Sequence, residues 1–131
     1  MIVVDTSALI AVVLDEAAGP ACKDVLERAE QVAISAGTLA EALMVAGRRN
    51  VRDDLAELLD RLPLDVRPVL ENEARRAANV YDRWGKGVHS AALNYGDCFA
   101  YALAEEHDCP LLYIGNDFAQ TDIQSALSTP T

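Results

Sequence analysis

The opening stretch "MIVVDTSALIAVVL", residues 1–14, leaves this chain little structural choice. Ile2, Val3 and Val4 are β-branched and favour a short buried strand. Thr6 or Ser7 can cap a helix directly afterwards, and "TSALIAVVLDE" is apolar nearly all round. A carboxylate, Asp5, stands at the junction. A strand that passes at once into an apolar helix belongs inside a layered α/β fold.

The rest of the chain repeats the alternation. Gly19 and Pro20 punctuate, and Cys22, Val25, Leu26 and Ala29 then recur on one helical face. "QVAIS" predicts a second strand, and a helix runs from Gly37-Thr38 to about Gly47. Leu55, Leu58, Leu59 and Leu62 mark an amphipathic helix that Pro63 ends. "LDVRPV" is a weak third strand, because Pro68 suits its end and not its middle. Leu70, Ala74, Ala77, Ala78, Tyr81 and Trp84 form a long helical stripe, and "GKGVHSAALNYG" reads as a loop. The spacing predicts a helix from Asp97 to about Glu106, then a buried strand in "PLLYIG" and a turn at "ND". Strands alternating with helices imply a parallel sheet, whose ligands gather at the carboxyl ends of the strands. The expected organisation is one domain over 1–125, followed by a flexible tail over 126–131.

Composition narrows the function. The chain has 131 residues, 51% hydrophobic and 24% charged, which suits a globular domain with a substantial core. Its formal net charge of −10 argues against a general electrostatic grip on nucleic acid and is compatible with a divalent cation or a basic partner. Cys22, Cys98 and Cys109 are odd in number and far apart, so reduced thiols are expected. No apolar run is long enough to span a membrane, and "MIVVD" has no secretion-signal pattern, so a cytoplasmic protein is expected.

Four acids occupy unusual places. Asp5 ends the first strand, and Asp117 follows the last one in "YIGNDF". Each has a plainer alternative, a helix cap for Asp5 and a backbone-bonded turn for Asp117. Glu41 is the only charge in "AGTLAEALMVAG", and Asp97 precedes the apolar run "CFAYALA". A rim position for Glu41 and a capping role for Asp97 remain open. If all four converge, each close pair repels by up to about 4 kcal/mol at ~4 Å and an effective dielectric near 20. A cation would offset that repulsion, and an all-oxygen ligand set suits Mg²⁺ or Mn²⁺. The chemistry then supported is metal-assisted hydrolysis of a phosphate ester.

The blocks "MIVVDTSALIAVVL", "AGTLAEALMV", "GKGVHSAALNYGDCFAYALA" and "LLYIGNDFAQTDI" resemble, in order and spacing, the PIN-domain ribonucleases, and among them the VapC-type toxins of toxin–antitoxin pairs. The resemblance covers about residues 1–123. It implies an α/β/α sandwich with a central parallel sheet of four to five strands, commonly dimeric, that cleaves RNA with Mg²⁺ or Mn²⁺. Transfer RNA is one candidate substrate that it suggests. On the family pattern Asp5, Glu41 and Asp97 are the core metal ligands, and Asp117 is the fourth acid. Ser7 or Thr6 would support the site by hydrogen bonding. Asn116 would orient Asp117 or contact phosphate, and Asp122 would be an outer acid, each with an ordinary turn role as the alternative. The implied partner is a small VapB-type antitoxin that blocks the groove, often with an arginine, and binds DNA on behalf of the complex. Where relatives often carry a basic residue before the histidine, this chain has Val88. Lys86, Arg48 and Arg49, with Arg52, are the candidate RNA-binding residues, against an ordinary solvated surface. His89 as a general acid is set against a packing role in its loop. Tyr81, Trp84 and Tyr95 could stack bases, although helical spacing favours packing for Tyr81 and Trp84. Two other readings remain: a small Mg²⁺-dependent phosphatase with Asp5 as nucleophile, and a cation-binding acidic scaffold without turnover. The first lacks an aspartate at the position Ser7 holds, and the second lacks a late lysine after a strand.

Overall fold

In the computed structural model, which describes residues 1–127, the chain forms a four-stranded sheet between two helical layers. The elements in order are β1 (Ile2–Val4), α1 (Thr6–Val13), α2 (Gly19–Arg28), β2 (Val32–Ser35), α3 (Ala36–Arg48), α4 (Arg52–Asp60), β3 (Leu64–Arg67), α5 (Glu71–Trp84), α6 (Tyr95–Glu106) and β4 (Leu111–Leu112). A 3₁₀ turn follows at Phe118–Gln120. The strand order is β3-β2-β1-β4, and every pairing is parallel. Val3 lies opposite Ala33 on one side and Leu111 on the other.

The pleat decides which layer each strand residue serves. Val3, Ala33 and Leu111 face α5 and α6, and pack with Val80, Leu93, Ala100 and Tyr101. Val4, Val32, Ile34 and Leu112 face the opposite way, toward Leu9, Leu26, Ala42 and Leu55. Strands buried on both faces need apolar residues at consecutive positions, and "IVV", "VAI" and "LL" supply them. Leu9, Leu26, Ile34 and Leu55 are fully buried, and each such side chain contributes roughly 1.5–3 kcal/mol.

Starting from β1, the chain builds outward through β2 to β3 and then crosses to β4 on the other side of β1. The carboxyl ends of β1 and β4 therefore flank the point where the winding direction reverses, the place where open parallel sheets form a ligand crevice. The turn after β4 is sharp: Gly115 has φ +102, a left-handed conformation that a side chain would disfavour. That turn carries the chain to Asp117.

Four expectations need correction. Helix α6 starts at Tyr95 and not at Asp97, because Asn94 is the cap. Its side chain accepts the Asp97 N–H at 2.9 Å, and the Asp97 carboxylate accepts the Asn94 N–H at 3.0 Å. This reciprocal pair is a capping box, and it places Asp97 inside the first turn. On α5 the buried residues are Ala77 and Val80, so the stripe through Ala74, Ala78 and Tyr81 stays exposed and lines a hollow of about 570 Å³. Leu70 is 66% exposed and lies ahead of the helix. The last strand is shorter than "PLLYIG": only Leu111 and Leu112 join the ladder. At the start of the expected tail, the Ala126 N–H donates to the Leu111 carbonyl, and Ala126 and Leu127 pack against the α1 side of the core. The remainder of that tail, 128–131, lies outside the described residues.

Candidate active site

Asp5 is placed by β1 and α1 together. Its N–H donates to the Leu112 carbonyl at 2.9 Å, which ties it to the end of β4. Its side chain caps α1 by accepting the Ser7 N–H at 3.0 Å. The same oxygen, Oδ2, accepts the Ser7 hydroxyl at 2.7 Å. Ser7 Oγ in turn accepts the Ile114 N–H at 3.0 Å, so one hydroxyl joins Asp5 to the chain beyond β4. The other oxygen, Oδ1, is buried with no hydrogen-bond partner. Asp5 is only 3% exposed.

Glu41 sits in the second turn of α3, and Thr6 orients it. The Thr6 hydroxyl donates to Glu41 Oε1 at 2.7 Å, with a longer approach of 3.3 Å to the Thr38 carbonyl. The two hydroxyls next to Asp5 therefore serve different acids, Ser7 for Asp5 and Thr6 for Glu41. The Glu41 carboxylate also lies directly against the backbone of Gly96 in α6, next to Asp97.

Asp97 is affected by the charges of the other three acids. Burial raises the Asp97 carboxyl to about 7; the backbone hydrogen bond to Asn94 opposes the rise, and the charges of Asp5, Glu41 and Asp117 add to it. Burial likewise raises the Asp5 carboxyl, opposed by its bonds to Ser7 and reinforced by Glu41. Asp117 is exposed at the start of the 3₁₀ turn. Among the described residues, no three acid, histidine or cysteine side chains stand in a finished metal-ligand group. The other three carboxylates are thus within electrostatic reach of Asp97 and short of a closed ligand shell. The donor set fits a hard divalent cation nonetheless: every candidate ligand atom is oxygen, and Asp5 Oδ1 is a buried acceptor with nothing to accept.

The remaining candidates separate. Asp122 accepts a hydrogen bond from the Tyr101 hydroxyl and is not among the acids that raise Asp97. Asn116 is exposed, and its carbonyl faces Gln120 Nε2 at 3.5 Å. Arg52 is taken up structurally: Nε and Nη2 donate to the Leu43 carbonyl of α3 at 3.2 and 2.9 Å. Arg48 and Arg49 are exposed, and Arg48 shares with Glu41 the lining of a hollow of about 610 Å³. Lys86 is exposed at the rim of the α5–α6 hollow. His89 Nδ1 accepts the Ala91 N–H at 3.0 Å, and its ring edge meets Trp84 at 4.7 Å. Trp84 Nε1 donates to Tyr101 at 3.1 Å. Tyr95, 79% exposed, meets Phe99 edge-on at 5.0 Å.

Two contributors were not legible as site residues. Asn94 orients Asp97, and its only sequence signal was a capping residue three positions ahead of an acid. Gly96 gives Glu41 room, and nothing local marks a glycine as the neighbour of a residue 55 positions earlier.

Comparison with known proteins gives the family of this fold. The family model for the PIN domain matches residues 2–124. The chain belongs to the PIN-domain family. Within it, the chain is 40% identical over 129 residues to VapC ribonuclease Mb0625 of Mycobacterium bovis, covering 95% of this chain and 97% of that one. Ribonuclease VapC42 of Mycobacterium tuberculosis is also 40% identical over 129 residues, with 95% and 98% covered. These relatives place the chain in the VapC-type branch of the PIN-domain proteins. Among solved structures, the fold matches Mycobacterium tuberculosis VapC20, described as a sarcin-ricin loop cleaving toxin, at TM-score 0.79 and 18% identity, covering 98% of this chain and all of that one. A toxin–antitoxin complex from Klebsiella pneumoniae matches at TM-score 0.70 and 21% identity, with 100% and 98% covered. The PIN-domain sandwich here has a four-stranded sheet, within the four to five strands expected.

Proposed function

We propose that this PIN-domain protein is the toxin of a toxin–antitoxin pair and a metal-dependent endoribonuclease. The observation that carries the reading is Asp5 Oδ1, a buried and unpartnered carboxylate oxygen at the β1–β4 crevice, with the charges of Glu41 and Asp97 close by. Asp5, Glu41 and Asp97 would hold Mg²⁺ or Mn²⁺, and Asp117, exposed at the start of the 3₁₀ turn, would complete the set. When bound, such an ion lowers the pKa of the attacking water and offsets charge on the leaving oxygen of an RNA phosphodiester. The chain's own residues do the positioning. Ser7 fixes Asp5, Thr6 fixes Glu41, and the Asn94 capping box fixes Asp97. The VapC ribonuclease relatives support the same activity and favour it over the phosphatase and scaffold readings.

Arg48 and Lys86, exposed on two hollows near the site, are suited to RNA phosphate, and Arg49 extends that basic edge. Asn116 and Asp117 would meet substrate from the opposite rim. A VapB-type antitoxin with a basic side chain suits an acidic crevice bordered by the exposed apolar residues Met44 and Tyr95. DNA would be reached only through that antitoxin, given the net charge of −10. The same apolar surface is available to a homodimer. No helix among the described residues is long and apolar enough to cross a membrane; an RNA substrate is what points to the cytoplasm as the working compartment.

The test is cleavage of purified RNA by purified protein. Metal-derived charge stabilisation is worth several kcal/mol, and each ~1.4 kcal/mol is tenfold in rate. Asp5→Asn and Asp97→Asn should therefore lose about a hundredfold or more, and EDTA should abolish cleavage by the parent protein. Undiminished cleavage by either variant would sink the assignment.

A further inference from the structure

Gly96 lies in the first turn of α6, immediately before Asp97, and its α-carbon faces the carboxylate of Glu41 from α3. A β-carbon built there would stand 2.7 Å from Glu41 Cδ and 2.9 Å from Oε1, with Oε2 closer still. Real side chains do not tolerate such separations. All three clashing atoms belong to the end of one flexible side chain, so the carboxylate would move and the backbone would stay. Glu41 is held from the other side by the Thr6 hydroxyl, at 2.7 Å from Oε1. The carboxylate is thus confined between a hydroxyl on α1 and a bare α-carbon on α6. Gly96 does not have the left-handed φ of Gly87 and Gly115. The backbone therefore does not call for glycine here, and alanine is the better helix former. What requires glycine is the space.

We propose that Gly96 is a positioning residue: the missing side chain makes the seat that holds the Glu41 carboxylate beside Asp97. This rests on the nuclease reading only in its consequence for metal; the seat itself is a property of the packing. One change should therefore favour the helix and disfavour the site. Groups that orient metal ligands typically change affinity by about 10–100-fold when altered, which sets the scale here.

The experiment is a cycle of Gly96→Ala, Glu41→Ala and the double variant, each measured for metal-free melting temperature and for Mn²⁺ affinity from the Mn²⁺-induced shift in melting. With Glu41 in place, Gly96→Ala should weaken Mn²⁺ about tenfold or more. With Glu41 removed, the same change should leave affinity unaltered and raise the metal-free melting temperature. The metal-free difference between the two backgrounds reads the clash even if Gly96→Ala alone folds poorly. Equal loss of affinity in both backgrounds, or equal destabilisation in both, overturns the proposal. A parent protein that shows no Mn²⁺ shift overturns the nuclease reading instead, and the metal-free coupling between positions 96 and 41 still decides the seat.

Discussion

Asp97 carries two loads at once. One of its oxygens closes the capping box with Asn94, and the carboxylate stays within the field of three other acids. Its carboxyl is raised from an ordinary 3.8 to about 7, chiefly by burial, and Asp5 is raised for the same principal reason. A raised carboxyl keeps its proton longer in the folded chain than in the unfolded one. Stability from that proton is fully present below about pH 4 and is lost as pH climbs through about 7. The metal-free protein should therefore melt at progressively lower temperature between pH 4 and 7 and level off above, and Asp97→Asn should flatten the decline. Thermal melts across that range measure it; a parent curve that rises toward pH 7 would contradict the burial of these acids. Divalent cation competes with the same proton, so the Mg²⁺-induced gain in melting temperature should be larger at pH 8 than at pH 6.

At the scale of elements, helix termini do the aiming. The start of α1 holds Asp5 and the start of α6 holds Asp97, while Glu41 comes from the side of α3. The caps are therefore functional as well as structural. Asn94→Ala removes the acceptor for the Asp97 N–H and should cost about 1 kcal/mol of stability, typical of a lost N-cap. Urea unfolding reads that loss. The Asn94 N–H that holds the Asp97 carboxylate is a backbone group and survives the change, so RNA cleavage by the folded protein should fall no further than the stability loss explains. A larger loss of cleavage would show that the Asn94 side chain also aims the acid. Much at this scale was legible beforehand. β-branched runs and leucine spacing marked β1, β2 and α4, since those signals are local. The start of α6 was misplaced because Asn94 and Asp97 are both good capping residues, and only the reciprocal hydrogen bonds choose between them. The buried face of α5 was misread because an alanine-rich helix has two small faces of similar character.

Across the whole molecule, the C-terminal segment is tied back to the α5–α6 layer. Asp122 accepts from Tyr101, Trp84 donates to the same hydroxyl, and Arg83 lies 5.7 Å over the Tyr101 ring. Burial, with Asp122 beside it, pushes the Tyr101 hydroxyl up to about 12, so it remains a donor throughout the working range. Tyr101→Phe leaves the part-buried Trp84 N–H and the Asp122 carboxylate without their partner. It should cost about 1–3 kcal/mol and leave RNA cleavage by the folded protein unchanged, since none of these groups reaches the four acids. Chemical denaturation and an RNA assay at a permissive temperature check the two halves.

The amino-acid order alone determined the alternation of strands and helices and the burial of β1, β2 and β4, because each rests on residues close together in the chain. The tertiary structure decided the rest. Ser7 serves Asp5 and Thr6 serves Glu41, Arg52 is spent on the Leu43 carbonyl, and Asp122 belongs to Tyr101. Gly96 became visible only when α3 and α6 came together. Such roles depend on which oxygen lies within about 3 Å of which hydrogen, and residues far apart in the chain acquire that distance only by packing.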